Sequence, residues 1–467
     1  LRAAKRVREG SAASALRDER LGLALVLAIG DLAGAFDLDK VMRELSTFAD
    51  RALDRALNTA MNSRVPDAEP SGMIGLALGK HGAGELNYSS DIDPILLYDP
   101  EKLPRRERDE PGEAAQRYAR EVVRLLSDVT SEGYVFRVDL RLRPASEVSP
   151  LAIPLSAAIT HYESSALAWE RAAFIRARAC AGDIAAGEEF LDHIRPFVWR
   201  RSLDFGAIDE VRRLTHRIRD QHSGPSVPEP GYNLKLGRGG IREIEFFAQT
   251  HQLIHGGRDP SLRSRGTRAA LDALAATGRI GEEDARALGE SYDGLRTIEH
   301  RLQMVGDKQT HSLPAGDALD NVAQLHGLAD GAALVKHVQE LARPVAERFD
   351  ALLDEDRISV PASAPHVLAG DAAEGDAPAE LVDRIAGWTD GKYQALRSTA
   401  ALGAFEAIRP DLIASISGSP DPDAAVVRWE GLISRLPSAI NLFRLLEARP
   451  GLFALLADCL TLAPPLA

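Results

Sequence analysis

The stretch Gly75–Asp99, GLALGKHGAGELNYSSDIDPILLYD, decides the fold. It reads as an apolar strand, a glycine-rich turn through Gly79, Gly82 and Gly84, a polar Ser89-Ser90 corner and a second strand that starts at Asp91. Strand alternation puts Asp91 and Asp93 on one face and Ile92 on the other. Two carboxylates that close repel each other unless a cation lies between them, and hard divalent metals take oxygen ligands of this kind. The small residues upstream let backbone N–H groups approach a phosphate, and a serine hydroxyl adds one more hydrogen bond. The pattern points to metal-assisted chemistry at phosphorus. Taken alone, the two acids also fit a capped strand entrance.

A third acid lies in YVFRVDLRLRP, Tyr134 to Pro144, where Phe136, Val138, Leu140 and Leu142 alternate with Arg137, Asp139, Arg141 and Arg143. This alternation predicts a strand with one apolar face and Asp139 on the other, flanked by three guanidiniums. Asp139 follows Asp93 by 46 residues, enough for a crossover helix, about Glu113 to Ser131, to return a strand beside the first pair. Two acids from one strand and one from its neighbour make the carboxylate set of a two-metal phosphoryl-transfer site, with ions ~3.5–4 Å apart.

LGKHGAGELNYSSDID followed by VFRVDLRLRP resembles polymerase-beta-like nucleotidyltransferases, and more closely the glutamine synthetase adenylyltransferase/adenylyl-removing enzymes. Further stretches carry the narrower likeness: AWERAAFIRARACAGD (Ala168 to Asp183), RPFVWRRSLDFGAI (Arg195 to Ile208), LKLGRGGIREIEFFAQ (Leu234 to Gln249), LRTIEHRLQ from Leu295 and DKQTHSLP ending at Pro314. That family carries two nucleotidyltransferase halves, the first removing AMP from a tyrosine of glutamine synthetase and the second attaching it. The single SDID here, and the signatures after it, resemble the first. The resemblance implies an α+β fold: a small mixed β-sheet nucleotidyltransferase core surrounded by helices, followed by a helical bundle, and predominantly helical overall.

It also implies phosphorolysis, in which inorganic phosphate attacks the adenylyl-tyrosine of adenylylated glutamine synthetase and ADP leaves. Two Mg2+ ions would be held by Asp91 and Asp93, which bridge them, and by Asp139 on the ion beside the tyrosine oxygen. A PII-type signal protein would be the regulatory partner. The implied nucleotide and phosphate ligands are Gly79, Lys80, Ser89, Ser90, Arg141, Arg143, Glu170, Arg176, Arg178, Lys235, Arg238, Arg242, Glu243 and Glu245. Arg176 stands where many relatives carry Lys, Trp199 and Ser202 where Tyr is common, and Pro94 replaces the apolar residue usual after SDID. Forward nucleotidyl transfer from ATP uses the same carboxylates, and a non-catalytic scaffold for glutamine synthetase or PII protein is a third reading.

Around this centre, 467 residues with 45% apolar content allow two to four domains. A net charge of −13 argues against a general nucleic-acid surface. Two cysteines, Cys180 and Cys459, cannot build a disulfide framework, so a reducing cytoplasm is the expected setting. No apolar run reaches the ~18 residues a membrane span needs. The missing initiator Met predicts a start inside a longer protein.

The chain divides as follows: residues 1–64, an N-terminal helical segment; 65–210, the nucleotidyltransferase core; 211–357, a helical bundle; 358–378, a linker rich in Ala, Pro, Gly and acid; 379–467, the helical start of a central connecting region. In the first segment Val41, Leu45, Phe48, Leu53 and Leu57 recur at helical period, and the dense run Leu23, Leu25, Leu27, Ile29 predicts a deeply buried helix. Residues 156–226 read as helical, with Glu170, Arg171, Arg176 and Arg178 on one helix or, equally, as surface ion pairs.

LKLGRGG predicts a short strand and a glycine turn before an amphipathic helix whose N-terminus suits an anion, or simply a tight turn. His251 and His255 on that helix lack the intervening Glu of a zinc-binding HExxH. Long helices are expected at Arg268–Gly278, Glu282–Val305, Asn321–Leu328 and Ala332–Leu353. Within them Arg296, Glu299, His300 and Arg301 read as intrahelical pairs, whereas the resemblance places them and Gln309-Thr310-His311 near the active cleft.

Overall fold

The computed structural model describes residues 12–200, 224–358, 378–436, 439–448 and 450–462. Residues 1–11, residues 201–208 of the Arg195 to Ile208 signature with Ser202 among them, the 210/211 boundary and nearly all of the 358–378 linker lie outside the described residues. Two compact units are formed, one by residues 1–159 and 168–359, the other by residues 160–167 and 360–467.

In the first unit, helices α1 (Ala12–Leu32) and α2 (Leu38–Asn62) precede β1 (Met73–Leu78), α3 (Gly79–Ala83) and β2 (Asp91–Tyr98). Then come α4 (Pro111–Ser127), β3 (Arg137–Val138), β4 (Ala152–Pro154), α5 (Leu155–Ser164, whose residues from Thr160 on belong to the second unit), α6 (Ala168–Phe174), β5 (Arg178–Gly182), α7 (Ile184–His193) and α8 (Arg195–Val198). The sheet order is β3-β2-β1-β5, with β4 also on β2. β1 is antiparallel to β2 and β5; β3 and β4 run parallel to β2. MIGLAL of β1 is buried along its whole length, as a central strand requires. Buried side chains of α2 and α4, among them Phe48, Leu53, Leu57, Tyr118, Val122 and Leu126, share one core with the sheet. Asp37 caps α2 by accepting from Lys40 N at 2.8 Å, a cap worth ~1 kcal/mol.

Four helices follow the GRGG turn: α9 (Ile241–His255), α10 (Thr267–Ala276), α11 (Glu282–Met304) and α12 (Asp317–Leu325), with α13 (Gly331–Ile358) closing the set. Ile244, Leu271, Leu295, Ile298, Val338 and Phe349 are among their shared core. The second unit holds α14 (Ala379–Ala386), α15 (Thr399–Ser417), α16 (Pro422–Arg435), α17 (Ile440–Ala448) and α18 (Pro450–Leu462) around Trp388, Phe405, Trp429 and Phe443. The α+β expectation holds: the protein is predominantly helical around one small mixed sheet.

Four local expectations are corrected. The strand expected over Tyr134–Pro144 pairs only at Arg137–Val138, because Arg143 folds the rest into turns by donating to the carbonyls of Leu140, Ser146, Ser149 and Pro150 at 2.7–3.1 Å. Arg178 sits on strand β5 rather than on the helix of Glu170; the small residues of RACAG let that strand lie against β1. Leu25 and Ile29 are about 60% exposed, since α1 buries only its Leu16, Leu23 and Leu27 face. Before α9 there is an isolated Asn233–Ser312 bridge instead of a strand.

Candidate active site

The turn between β1 and β2 is tight for a reason. Gly79 has φ +56°, and a Cβ there would lie 2.5 Å from Asp93 Oδ2, so only glycine lets the backbone pass the acid. Gly84 closes α3 in the left-handed region, with Glu85 N bonding Lys80 O at 2.8 Å. The corner is fixed by Asn87 N on Ser90 Oγ (2.9 Å) and Ser89 N on Gln303 Oε1 (3.0 Å). Beyond it, Asp91 and Asp93 share the partly exposed face of β2, as alternation predicts. Parallel pairing of Asp91 with Arg137 and of Ile92 with Val138, extended by Asp139 N on Ile92 O at 2.9 Å, brings Asp139 beside Asp93.

The three acids are held differently. Asp91 accepts from Arg137 Nε (2.5 Å) and Gln309 Nε2 (2.8 Å). Asp139 accepts from Arg141 Nε and backbone N (2.8–3.0 Å), and that guanidinium holds its carboxyl below the usual range. Asp93 takes no side-chain hydrogen bond from the described residues, and burial, then the nearby Asp139 and Asp91 charges, push it up to about 7. Asp93, an oxygen donor with two more acids beside it and no side-chain hydrogen bond from the described residues, fits a hard divalent cation. Among the described residues only Asp50, His81 and Cys180 bring ligand atoms all within 4.8 Å of one another; the three aspartates are spread wider, with Asp91 and Asp139 each turned to an arginine. That other trio is structural: Asp50 is tied to Arg178 and His81, and burial drives the Cys180 thiol far up, keeping it protonated.

The Asp93 shift carries a stability consequence in metal-free protein. A carboxyl raised in the fold costs nothing below the unfolded value near 4 and its full penalty above about 7, so stability falls as pH rises through that window. Asp93→Asn is expected to melt higher than the unmodified chain at about pH 8 by the equivalent of ~1–2 kcal/mol, the partial exposure discounted, and to lose that advantage at about pH 4. Thermal melts in chelator at both pH values check it.

A basic wall faces the acids. Lys80 Nζ bonds both oxygens of fully buried Glu299 (3.1 and 3.2 Å), which also accepts from His311 Nδ1 (2.6 Å) and pairs with Arg296 Nε (3.1 Å). Burial pulls Lys80 down to about 8 against the opposing pull of Glu299, and it stays cationic at neutral pH. Lys235, in the segment before α9, lies close enough to Asp93 to act on its charge, and burial lowers it too. Burial would raise the Glu245 carboxyl, but Arg176, Arg242 and Lys235 outweigh it and hold it at about 2, with Arg176 at 3.0 Å and Arg242 at 3.7 Å.

Residues 2–193 match the family model described as glutamate-ammonia ligase adenylyltransferase, and residues 210–353 that of GlnD PII-uridylyltransferase. The chain is 41% identical to the bifunctional glutamine synthetase adenylyltransferase/adenylyl-removing enzyme of Caulobacter vibrioides over 97% of its length. It is 38% identical to that of Rhizobium meliloti over 97% and 39% identical to that of Agrobacterium fabrum over 98%. It belongs to the glutamate-ammonia ligase adenylyltransferase family. The chain spans about half the length of these relatives, 48%, 48% and 49% respectively.

Within this member of the adenylyltransferase family, several expected ligands have other work. Arg143 is a loop staple. Arg238 is half-exposed and bonds Asp350 at 2.6 Å. Arg178 holds α3 through Asp50 and the His81 and Gly82 carbonyls, and with Trp199 lines a separate groove of about 820 Å3 that none of the three aspartates lines. Arg176 is buried, bonding Glu245 and Thr267 Oγ1. Glu243 caps the GRGG turn by accepting from Gly239 N at 2.9 Å, Ser90 locks the corner, and Glu170 is buried in α6. Ser89 Oγ meets Arg137 Nη2 at 3.2 Å, while Arg141 has 86% of its side chain exposed. His251 and His255 stack with ring centres 6.2 Å apart. Sequence reasoning left Arg137 out of the site and gave Glu299, Gln309 and His311 only a place near the cleft, by resemblance; the structure sets Arg137 and Gln309 on Asp91, and Glu299 and His311 beside Lys80.

Proposed function

We propose that this chain carries the adenylyl-removing half-reaction, phosphorolysis of adenylyl-tyrosine on glutamine synthetase. The observation that carries the reading is Asp93, without a hydrogen-bonded counter-charge between Asp91 and Asp139 and faced by Lys80 and Lys235. Acids to hold metal and cations to hold phosphate are the two halves of a phosphoryl-transfer site. Asp91, Asp93 and Asp139 would hold two Mg2+ ions, which when bound neutralise charge on the transferring group and its leaving oxygen. Lys80, Lys235 and Arg242 would hold inorganic phosphate against the negative charge of the AMP moiety. Arg141, mostly in solvent, is the guanidinium best placed to leave Asp139 for the α-phosphate. The tyrosyl oxygen departs in line, and the products are ADP and unmodified glutamine synthetase.

Removal rather than attachment is supported by the likeness of residues 168–183 and 234–249 to the first catalytic half of the family. The match of residues 210–353 to PII-uridylyltransferases supports a PII-type protein as regulatory partner. Among the described residues no helix is long and apolar enough to cross a membrane.

Adenylylated glutamine synthetase with phosphate and Mg2+ is expected to yield ADP; unmodified glutamine synthetase with ATP is expected to gain no AMP. Labelling in the second arm alone would overturn the reading in favour of forward transfer. Silence in both would favour the scaffold.

A further inference from the structure

Glu299 and His311 form a carboxylate–imidazole pair that the aspartate chemistry above does not use. Glu299 is fully buried, and burial would raise its carboxyl, but Lys80, the His311 hydrogen bond and Arg296 hold it well below its ordinary value. An ionised Glu299 at 2.6 Å requires the His311 proton on Nδ1, which leaves the lone pair on Nε2. Nε2 has no partner among the described residues, and the side chain remains 17% exposed.

The backbone fixes this ring at the site. Leu234 N bonds His311 O at 2.8 Å, Leu313 N bonds Tyr232 O at 2.9 Å, and Ser312 bridges Asn233, so the segment is laced to the one bearing Lys235. Two residues earlier Gln309 bonds Asp91. The charged groups facing the imidazole are Glu299, Lys80 and Lys235, with Arg296 behind Glu299. Burial first, then both lysines, lower the imidazole despite Glu299, so it is neutral at pH 7 and able to accept a proton.

We infer that His311 is a further catalytic residue of this site, whose Nε2 takes the proton of the incoming phosphate, and that Glu299 is the residue that positions it. The inference rests on the phosphorolytic reading above. As a phosphate oxygen bonds to the α-phosphorus, the phosphate hydroxyl changes from a very weak acid to one matched to imidazole, the condition under which a general base accelerates transfer. The bond between the α-phosphorus and the tyrosyl oxygen breaks, its electron pair leaves on that oxygen, and the phenolate takes a proton from solvent. The phosphate proton passes to His311 Nε2 and then to solvent, so HPO4 2− and the adenylyl ester become ADP and tyrosine with no other reactant. Lys80 and Lys235, both near enough to act on the imidazole, are what an anion would meet there.

His311→Asn tests it, because the Asn amide can replace the Nδ1 donor to Glu299 while removing Nε2. In the full chain, kcat with phosphate is expected to fall ~10²-fold and the acidic limb of its pH profile to vanish, with the KM for adenylylated substrate held within about twofold. Glu299→Gln is expected to move that limb to lower pH. A variant with unaltered kcat and an intact acidic limb overturns the inference, even where Asp93→Asn is inactive and the phosphorolytic reading stands. Should the unmodified chain form no ADP, that reading fails on its own, and ADP titration decides the histidine. His311→Asn is then expected to weaken ADP about tenfold by calorimetry, and the His311 ring signal to move on ADP addition in the unmodified chain. Unchanged affinity and an unmoved ring overturn it.

Discussion

Asp93→Asn is expected to remove ADP formation, by ~10³-fold or more, without loss of fold. The neutral amide cannot hold a divalent cation against the neighbouring Lys80 and Lys235, and a metal worth several kcal/mol at the transition state translates into that factor. The same substitution relieves the repulsion that raises Asp93, so the variant is as stable as the parent or more so, and a dead enzyme with an unharmed melt separates chemistry from folding. Asp139→Asn is expected to behave alike in activity; it frees only the exposed Arg141. Asp91 is the less clean test, since removing it also strands Arg137, which bonds Asp91, Ser89 and Tyr134. Turnover of either variant within tenfold of the parent would refute the carboxylate assignment.

What the sequence made legible follows from the range of the forces involved. The apolar run GLAL, the glycines after it and the period of two in Asp91-Ile92-Asp93 are local, and β1, the turn, β2 and the shared face of Asp91 and Asp93 follow from them. The crossover helix and a neighbouring strand leading to Asp139 followed from the alternation after Tyr134 and the 46 residues between Asp93 and Asp139. Arg143 misled, because alternating arginines read as one charged face until a Pro and a string of carbonyls turn the chain back. RACAG carries too few large residues to announce a strand, and becomes one only because β1 offers an edge. Glu299 reads as half of an i,i+3 pair with Arg296, which it is at 3.1 Å, but its bond to Lys80 spans 219 positions and no local pattern can show it. Leu25 and Ile29 are apolar yet exposed; the face α1 buries is set by its neighbours rather than by its composition.

The polar layer that binds the bundle to the sheet yields the largest expected stability effect. Arg296 is fully buried on α11 and reaches Tyr292 Oη (2.5 Å), Glu85 O (2.6 Å) and Asn87 Oδ1, besides its pair with Glu299. Replacing it by Met keeps much of the volume but leaves the Glu85 carbonyl and part of a buried carboxylate without a donor, and Asn87 Oδ1 with the His300 ring alone. Breaking a buried pair on one side costs about 3–5 kcal/mol. Against a total of ~5–15 kcal/mol for a typical domain, Arg296→Met is expected to lower the first unit's urea midpoint severely. Arg286→Ala is the control: its partner Glu290 lies 3.3 Å away on the same helix, both side chains are about 60% exposed, and the loss is expected to stay under ~0.5 kcal/mol. Glu299→Gln in the Arg296→Met background is expected not to recover the deficit, because Glu299 keeps Lys80 and His311 as partners and the cost lies in the stranded Glu85 carbonyl. Urea titrations of the three variants that fell within about 1 kcal/mol of the parent would show that water reaches this layer and that the buried network does not hold the corner carrying Asp91 and Asp93.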